Sequence, residues 1–152
     1  MRIKVNTLVA FDSKEEPFIL IFHLQTAFIM AVAVHYPEIY FCFCVNANQY
    51  IEQALPDIEL FRRHHVNIVL GTDSLTSNHQ LSILEEIKTI HHHFSSIPLE
   101  NMMQWATING AKALEIENIV GSFSPGKTPG IILIENLESD HVGQQSSVKK
   151  LG

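Results

Sequence analysis

The sequence predicts an α/β protein built on a parallel sheet. Two observations carry this. Short apolar runs rich in β-branched and aromatic residues recur at 18–22, 39–45, 67–70 and 131–134. Runs without polar alternation suit strands buried on both faces. Between the runs lie stretches with helix signals, and strands alternating with helices argue for βαβ units. At 152 residues, 46% hydrophobic, with a mean hydropathy of +0.12, the chain can bury a core.

Each element has a local reason. Phe18-Ile19-Leu20-Ile21-Phe22 is a continuous β-forming run that ends at His23. Residues 26–35, rich in Ala and Met, predict a short helix capped by Thr26 and closed by Pro37. Residues 39–45 predict a second strand, followed by a polar loop at Asn46-Ala47-Asn48. Pro56 suits a first helical turn, and 57–65 follow as a helix ending in His64-His65. Residues 67–70 predict the third strand. Asn78 predicts the cap of an amphipathic helix over Leu81, Ile83, Leu84, Ile87 and Ile90, with its solvated end at His91-His92-His93. Ser95 and Ser96 break it. Pro98 opens a further helix with its core face at Leu99, Met102, Met103 and Ala106; that helix, or a continuation after Asn109-Gly110, runs to Leu114. Gly121, Pro125, Gly126, Pro129 and Gly130 mark turns before a strand at 131–134. The tail from residue 139 is polar and reads as loose up to 148–151.

Composition excludes several functions. The formal net charge is −6, the isoelectric point is near 5.8, and Lys and Arg total only 10. No basic patch exists to neutralise phosphates, so neither nucleic acid nor an anionic membrane is an expected partner. The longest apolar stretch is interrupted by His23 and Gln25, and it reads as a strand plus a helix rather than a membrane span. No secretory leader is expected ahead of Asp12, Lys14, Glu15 and Glu16. The two cysteines, Cys42 and Cys44, point the same way on a strand and stand too close for an ordinary disulfide. They read as buried thiols of a cytoplasmic protein.

The chemistry concentrates at Gly71-Thr72-Asp73-Ser74, directly after the third strand. An aspartate after a strand is ordinarily a turn former or cap. Here Gly71 permits a sharp turn, Thr72 and Ser74 offer hydroxyls, and Ser77-Asn78 extend a polar loop into a helix. His23 ends the first strand as Asp73 follows the third, so a parallel sheet would bring both to its carboxyl-end face, where ligands bind. A histidine and an aspartate at one rim suit a metal or an acid–base pair.

Several motifs in order then resemble one family. The stretch from Val69 to Asn78 is similar to the "GTDS…SN" motif of the amidohydrolase superfamily, in its aminohydrolase and chlorohydrolase branch. Cys44-Val45-Asn46-Ala47-Asn48 and its preceding strand resemble the family's "C-P-x-[SA]-N" segment, and Pro56-Asp57-Ile58 its "PPI…LP" segment. Trp105-Ala106-Thr107-Ile108-Asn109-Gly110-Ala111-Lys112-Ala113-Leu114 resembles "ATxNGAxALG". Ile119-Val120-Gly121-Ser122-Phe123-Ser124-Pro125-Gly126-Lys127 resembles "IGSLxPGKxAD". Departures are Leu24 where a polar residue often follows the histidine, Val45 in place of proline, and Glu115 at a helix end where the family has glycine. Thr128-Pro129-Gly130 also stands in place of a small residue and aspartate. A non-glycine residue at such a helix end is strained if left-handed.

The resemblance implies strands six to eight of a (β/α)8 barrel, with their helices, in residues 1–118. A short β segment of the family's small β-sandwich domain would occupy residues 119–152. A whole barrel takes typically about 250 residues, so strands one to five, with the His-x-His motif, are not represented. The resemblance further implies hydrolysis of C–N or C–Cl bonds of a small cyclic or heteroaromatic substrate. A divalent metal, commonly zinc, would activate water to hydroxide near neutral pH. Asp73 would be a ligand and proton shuttle, and His23 a second ligand or polarising group. Asn46, Asn48, Ser74, Ser77 and Asn78 would support the loops. Completion would need a complementary N-terminal fragment or a homo-oligomer. The alternative expectation is an inactive remnant that serves as an assembly or binding module.

Overall fold

The structure is a computed structural model. It describes residues 19–21, 35, 36, 38–138 and 141–151, with no side-chain description for 19–21. The expected helix at 26–35 lies almost wholly outside the described residues, as do His23, Leu24 and Thr26.

Three strands form a parallel sheet in the order β1 (Ile19–Ile21), β2 (Tyr40–Phe43), β3 (Asn67–Leu70). Ile19 pairs with Tyr40, and Tyr40 pairs in turn with Asn67. Sequential parallel neighbours are the arrangement expected of successive βα units. Phe41 and Phe43, each 2% exposed, project onto Phe61 edge-on at ring separations of 5.2 and 4.9 Å. Ile58, Ile68, Ile87, Ile90, Ile97 and Met102 complete a buried core between sheet and helices. Among the described residues no helix is long and apolar enough to cross a membrane.

The helices depart from sequence expectation in instructive ways. The expected loop at Asn46-Ala47-Asn48 is the first turn of α1 (Val45–Glu52). Its N-cap, Cys44, offers no side-chain bond to the free amides. The acceptor comes from elsewhere: Glu86 Oε2 takes the Asn46 backbone N–H at 3.0 Å, and Glu86 Oε1 takes Asn46 Nδ2 at 3.0 Å. A carboxylate at a helix N-terminus also meets the positive end of the dipole. The next helix, α2 (Ile58–Arg63), is capped by Asp57, which accepts Leu60 N–H at 3.0 Å; Glu59 lies in its first turn and Arg62 and Arg63 in its last. The expected start at residue 57 is therefore the cap, and His64 and His65 lie past the end.

The long helix α3 (Ile83–His93) is capped by Ser82, not by Asn78 as the sequence suggested, and Leu81 stands outside it, exposed. The stretch from 99 to 114, expected as one helix or as a helix with a continuation after Asn109-Gly110, is two helices that break earlier, at Thr107: α4 (Leu99–Ala106) and α5 (Ile108–Ala113). Thr107 separates them with φ −129°, ψ −89°. Its hydroxyl donates to the Met103 carbonyl at 2.6 Å, a back-bond that bends helices. Asn109 Nδ2 then donates to the Ile68 carbonyl at 2.8 Å, docking α5 on β3. At the end of α5 the backbone amides of Glu115 and Ile116 bond to the carbonyls of Lys112 and Ala111, and Glu115 sits at φ +57°. That is the Schellman geometry that favours glycine.

Strands β4 (Ile131–Glu135) and β5 (Ser147–Leu151) form a separate antiparallel ribbon. Ile131, Ile132, Leu133, Val148 and Leu151 are all exposed on it. The segment between the strands is not loose where it is described: Ser146 Oγ donates to the Asn136 carbonyl at 2.8 Å and accepts Gly143 N–H at 3.0 Å, and Val142 is buried.

Glu86 is fully buried. Burial holds its carboxyl above the usual carboxylate range, and the bonds from Asn46 and Asn78 offset only part of this. E86Q turns an amide NH2 toward at least one bound donor, so it should cost about 1–3 kcal/mol in urea unfolding near about pH 5. With the folded pKa above the unfolded one, the carboxyl's proton-linked contribution is complete below about pH 4.3 and is lost as pH rises through the folded value. The stability gap between wild type and E86Q should therefore narrow on raising the pH from about 4.3; widening would contradict the assignment. E115G should instead raise stability by about 1 kcal/mol, since the left-handed strain it relieves exceeds the entropy glycine adds. An unchanged or lower urea midpoint would refute this.

Candidate functional site

The ladder between β2 and β3 continues one residue past the strand, with Gly71 N–H donating to the Phe43 carbonyl at 3.0 Å. Thr72 follows, and Asp73 takes a left-handed backbone at φ +56°. A non-glycine residue there costs of order 1 kcal/mol or more and needs its surroundings to hold it. Two devices do so. Ser77 Oγ donates to Asp73 Oδ2 at 2.6 Å, a short bond to a charged acceptor. Ser77 also lies 3.2 Å from Ser74 Oγ, and its amide bonds the Ser74 carbonyl at 3.1 Å, closing the turn. Buried Asn78 spans the base of the loop: its Nδ2 donates to the Thr72 carbonyl at 2.9 Å and to Glu86 Oε1 at 2.8 Å.

Asp73 itself is exposed at the carboxyl end of the sheet. Of the residues expected at the site, the structure brings Asp73, Ser74, Ser77 and Asn78 into one loop, and ties Asn46 to it through Glu86. Asn48 stands half-buried on α1, its amide bonded to the Cys44 carbonyl at 2.9 Å. His23 lies outside the described residues. Sequence reasoning missed Glu86 and Thr89, whose hydroxyl donates to Asn46 Oδ1 at 2.6 Å. A signal existed: Ile83, Glu86 and Ile90 fall at helical spacing on one face, which places the glutamate within an apolar stripe.

The described residues do not by themselves compose a metal site: no group of three or more His, Cys, Asp or Glu side chains among them could hold an ion. Asp73 offers a single exposed carboxylate, with no second such side chain grouped around it among the described residues. A cleft of about 760 Å³ is bounded by His91, His92, His93 and His141, and one of about 250 Å³ by Asn46, Asn78 and His79; neither includes Asp73. In the larger cleft His91 stacks on His141 at 4.7 Å.

Cys42 and Cys44 are both free, with sulfurs 4.0 Å apart. The hydrogen bond between them holds the Cys42 thiol below its ordinary range. The same bond, with burial, pushes Cys44 well above it.

Comparison with known proteins fits this geometry. Over 99 residues the chain is 29% identical to the 5-methylthioadenosine/S-adenosylhomocysteine deaminase of Saccharophagus degradans, covering 60% of this chain and 22% of that protein. Over 77 residues it is 39% identical to the 5'-deoxyadenosine deaminase of Methanosarcina acetivorans, covering 46% and 17%. The chain thus spans about a fifth of the length of these curated relatives. Two solved structures share the fold at 20% identity, each covering 78% of this chain and 28% of the other. They are an adenosine deaminase from Xanthomonas campestris with bound zinc (TM-score 0.63) and the E. coli guanine deaminase (TM-score 0.64). The amidohydrolase family model matches residues 18–151, from the first strand to the last. The chain belongs to the amidohydrolase family.

Proposed function

We propose that this chain is the strand-six-to-eight part of a deaminase-like, metal-dependent hydrolase barrel. Residues 1–118 form the barrel part, and residues 119–152 belong to the family's small β domain. The substrate is a small heteroaromatic compound of the aminated purine type, in keeping with the relatives' names. One observation carries the reading: Asp73, at the carboxyl end of β3, is kept in a left-handed backbone by Ser77 and by the Asn78–Glu86 brace. Strained carboxylates at strand ends are where α/β enzymes place acid–base groups.

Asp73 accepts a proton from the attacking water and returns it to the leaving amine. Ser77 orients the carboxyl group through its bond to Oδ2. A divalent ion, with zinc the proposed one, supplies Lewis acidity and lowers the pKa of water when bound. His23 is the second proposed donor. The remaining donors come from a complementary N-terminal fragment or from a second copy of the chain. The two free cysteines support a reducing, cytoplasmic setting.

A second reading, a non-catalytic assembly or binding module, is favoured by the lack of a three-donor metal group among the described residues. One chimera separates the two. Residues 18–151 replace the matching segment of the Saccharophagus degradans deaminase. The hydrolytic reading expects turnover of 5-methylthioadenosine, lost about 10²–10⁴-fold in D73N with the fold retained. A folded, zinc-loaded chimera without activity, or one indifferent to D73N, would establish the second reading.

A further inference from the structure

The two thiols of β2 lie outside the core cluster built around Phe41 and Phe43. Those rings project toward α2, so Cys42, between them, projects from the opposite face of the sheet. Cys44 follows on that side. The register pairs Cys42 with Val69 and Phe43 with Leu70, which brings Gly71 beside Cys44 on the same face. The sulfurs are 4.0 Å apart and share a thiol–thiol hydrogen bond. Burial and the carboxylates of Glu86 and Asp73 oppose a thiolate at either sulfur, so the pair acts through its bulk.

That bulk falls on Gly71. A Cβ there would stand 2.6 Å from Cys42 Sγ and 3.1 Å from Cys44 Sγ, inside the ordinary carbon contact distance of about 3.5 Å. The backbone of Gly71 is not left-handed, unlike that of Gly121, Gly126 and Gly130. Its conformation therefore does not demand glycine; the sulfurs do. Gly71 is also held along the sheet, through its N–H on the Phe43 carbonyl at 3.0 Å. The sulfurs thus fix its height over the sheet and the ladder bond fixes its place in it. Asp73 turns left-handed two residues further on.

We propose that Cys42 and Cys44 are positioning residues for Asp73: packed on the bare backbone of Gly71, their sulfurs set where β3 ends and so where the carboxylate enters the site. This role rests on the hydrolytic reading of Asp73. Neither thiol gives up a proton or touches substrate.

The test is kinetic, in the chimera. A displaced catalytic group costs rate more than binding, so G71A should lower kcat about 10–100-fold with KM within about twofold. C42A/G71A removes the sulfur nearest the new methyl and should regain at least about fivefold of kcat. C42A alone leaves a gap over Gly71 and should lower kcat about threefold or more. The D73N background separates positioning from general damage: with Asp73 already disabled, G71A should cost less than about twofold further, whereas an independent structural loss would multiply. In the full chain, G71A should lower the urea midpoint and C42A/G71A should restore most of it. An equal loss from G71A with and without D73N, no recovery in C42A/G71A, or an unchanged kcat in C42A would overturn the positioning role and leave Asp73 as the catalytic group. Indifference to D73N itself would instead remove the hydrolytic reading, and this role with it.

Discussion

The Glu86 carboxylate is the point on which the arrangement around the site depends. It is a charge taken wholly out of water, and such a charge is tolerated only when its lone pairs are filled. Here they are filled by three N–H groups from two separate segments, the backbone and side chain of Asn46 and the side chain of Asn78. Each donor solves a second problem. The Asn46 amide is an otherwise free amide at the start of α1. Asn78 spends its other hydrogen on the Thr72 carbonyl, one residue before Asp73. A single buried anion therefore starts one helix, anchors another and fixes the base of the polar loop.

That economy explains how Asp73 can hold a backbone conformation its side chain does not favour. The loop is gripped at both ends, by the β2–β3 ladder at Gly71 and by Asn78, so the residues between have little freedom to relax. Ser77 then orients the carboxylate itself. The strain is held by a network rooted in the core rather than by contacts at the surface.

The sequence made β2, β3 and β4 legible because apolar β-forming runs are local signals. Asp73 was legible too, since a glycine and hydroxyl residues flank it after a strand. What sequence missed was decided at a distance. Asn46-Ala47-Asn48 reads as a loop because the group that caps α1 sits 40 residues further on. Asn78 has the chemistry of a helix cap, and its own Oδ1 does accept Gln80 N–H at 3.3 Å, but the Glu86 carboxylate claims its amide. Thr107 looks helical until its hydroxyl turns back onto Met103. The strain at Glu115, by contrast, could be read directly, because a missing glycine at a helix end is itself a local signal.

The β4–β5 ribbon differs in kind from the rest. Two strands are marginal by themselves in water, and this pair exposes aliphatic side chains instead of burying them. Its ties to the rest are few: Val142 buried in the core, Ile134 packed against that core, and Lys88 Nζ of α3 donating to the Gln144 carbonyl at 3.1 Å. Opening the ribbon would thus break few contacts with the core, whereas opening α3 would expose Ile87, Ile90 and the Glu86 charge together. The amide protons of β5 are accordingly expected to trade with solvent through an excursion that leaves the sheet and its helices folded.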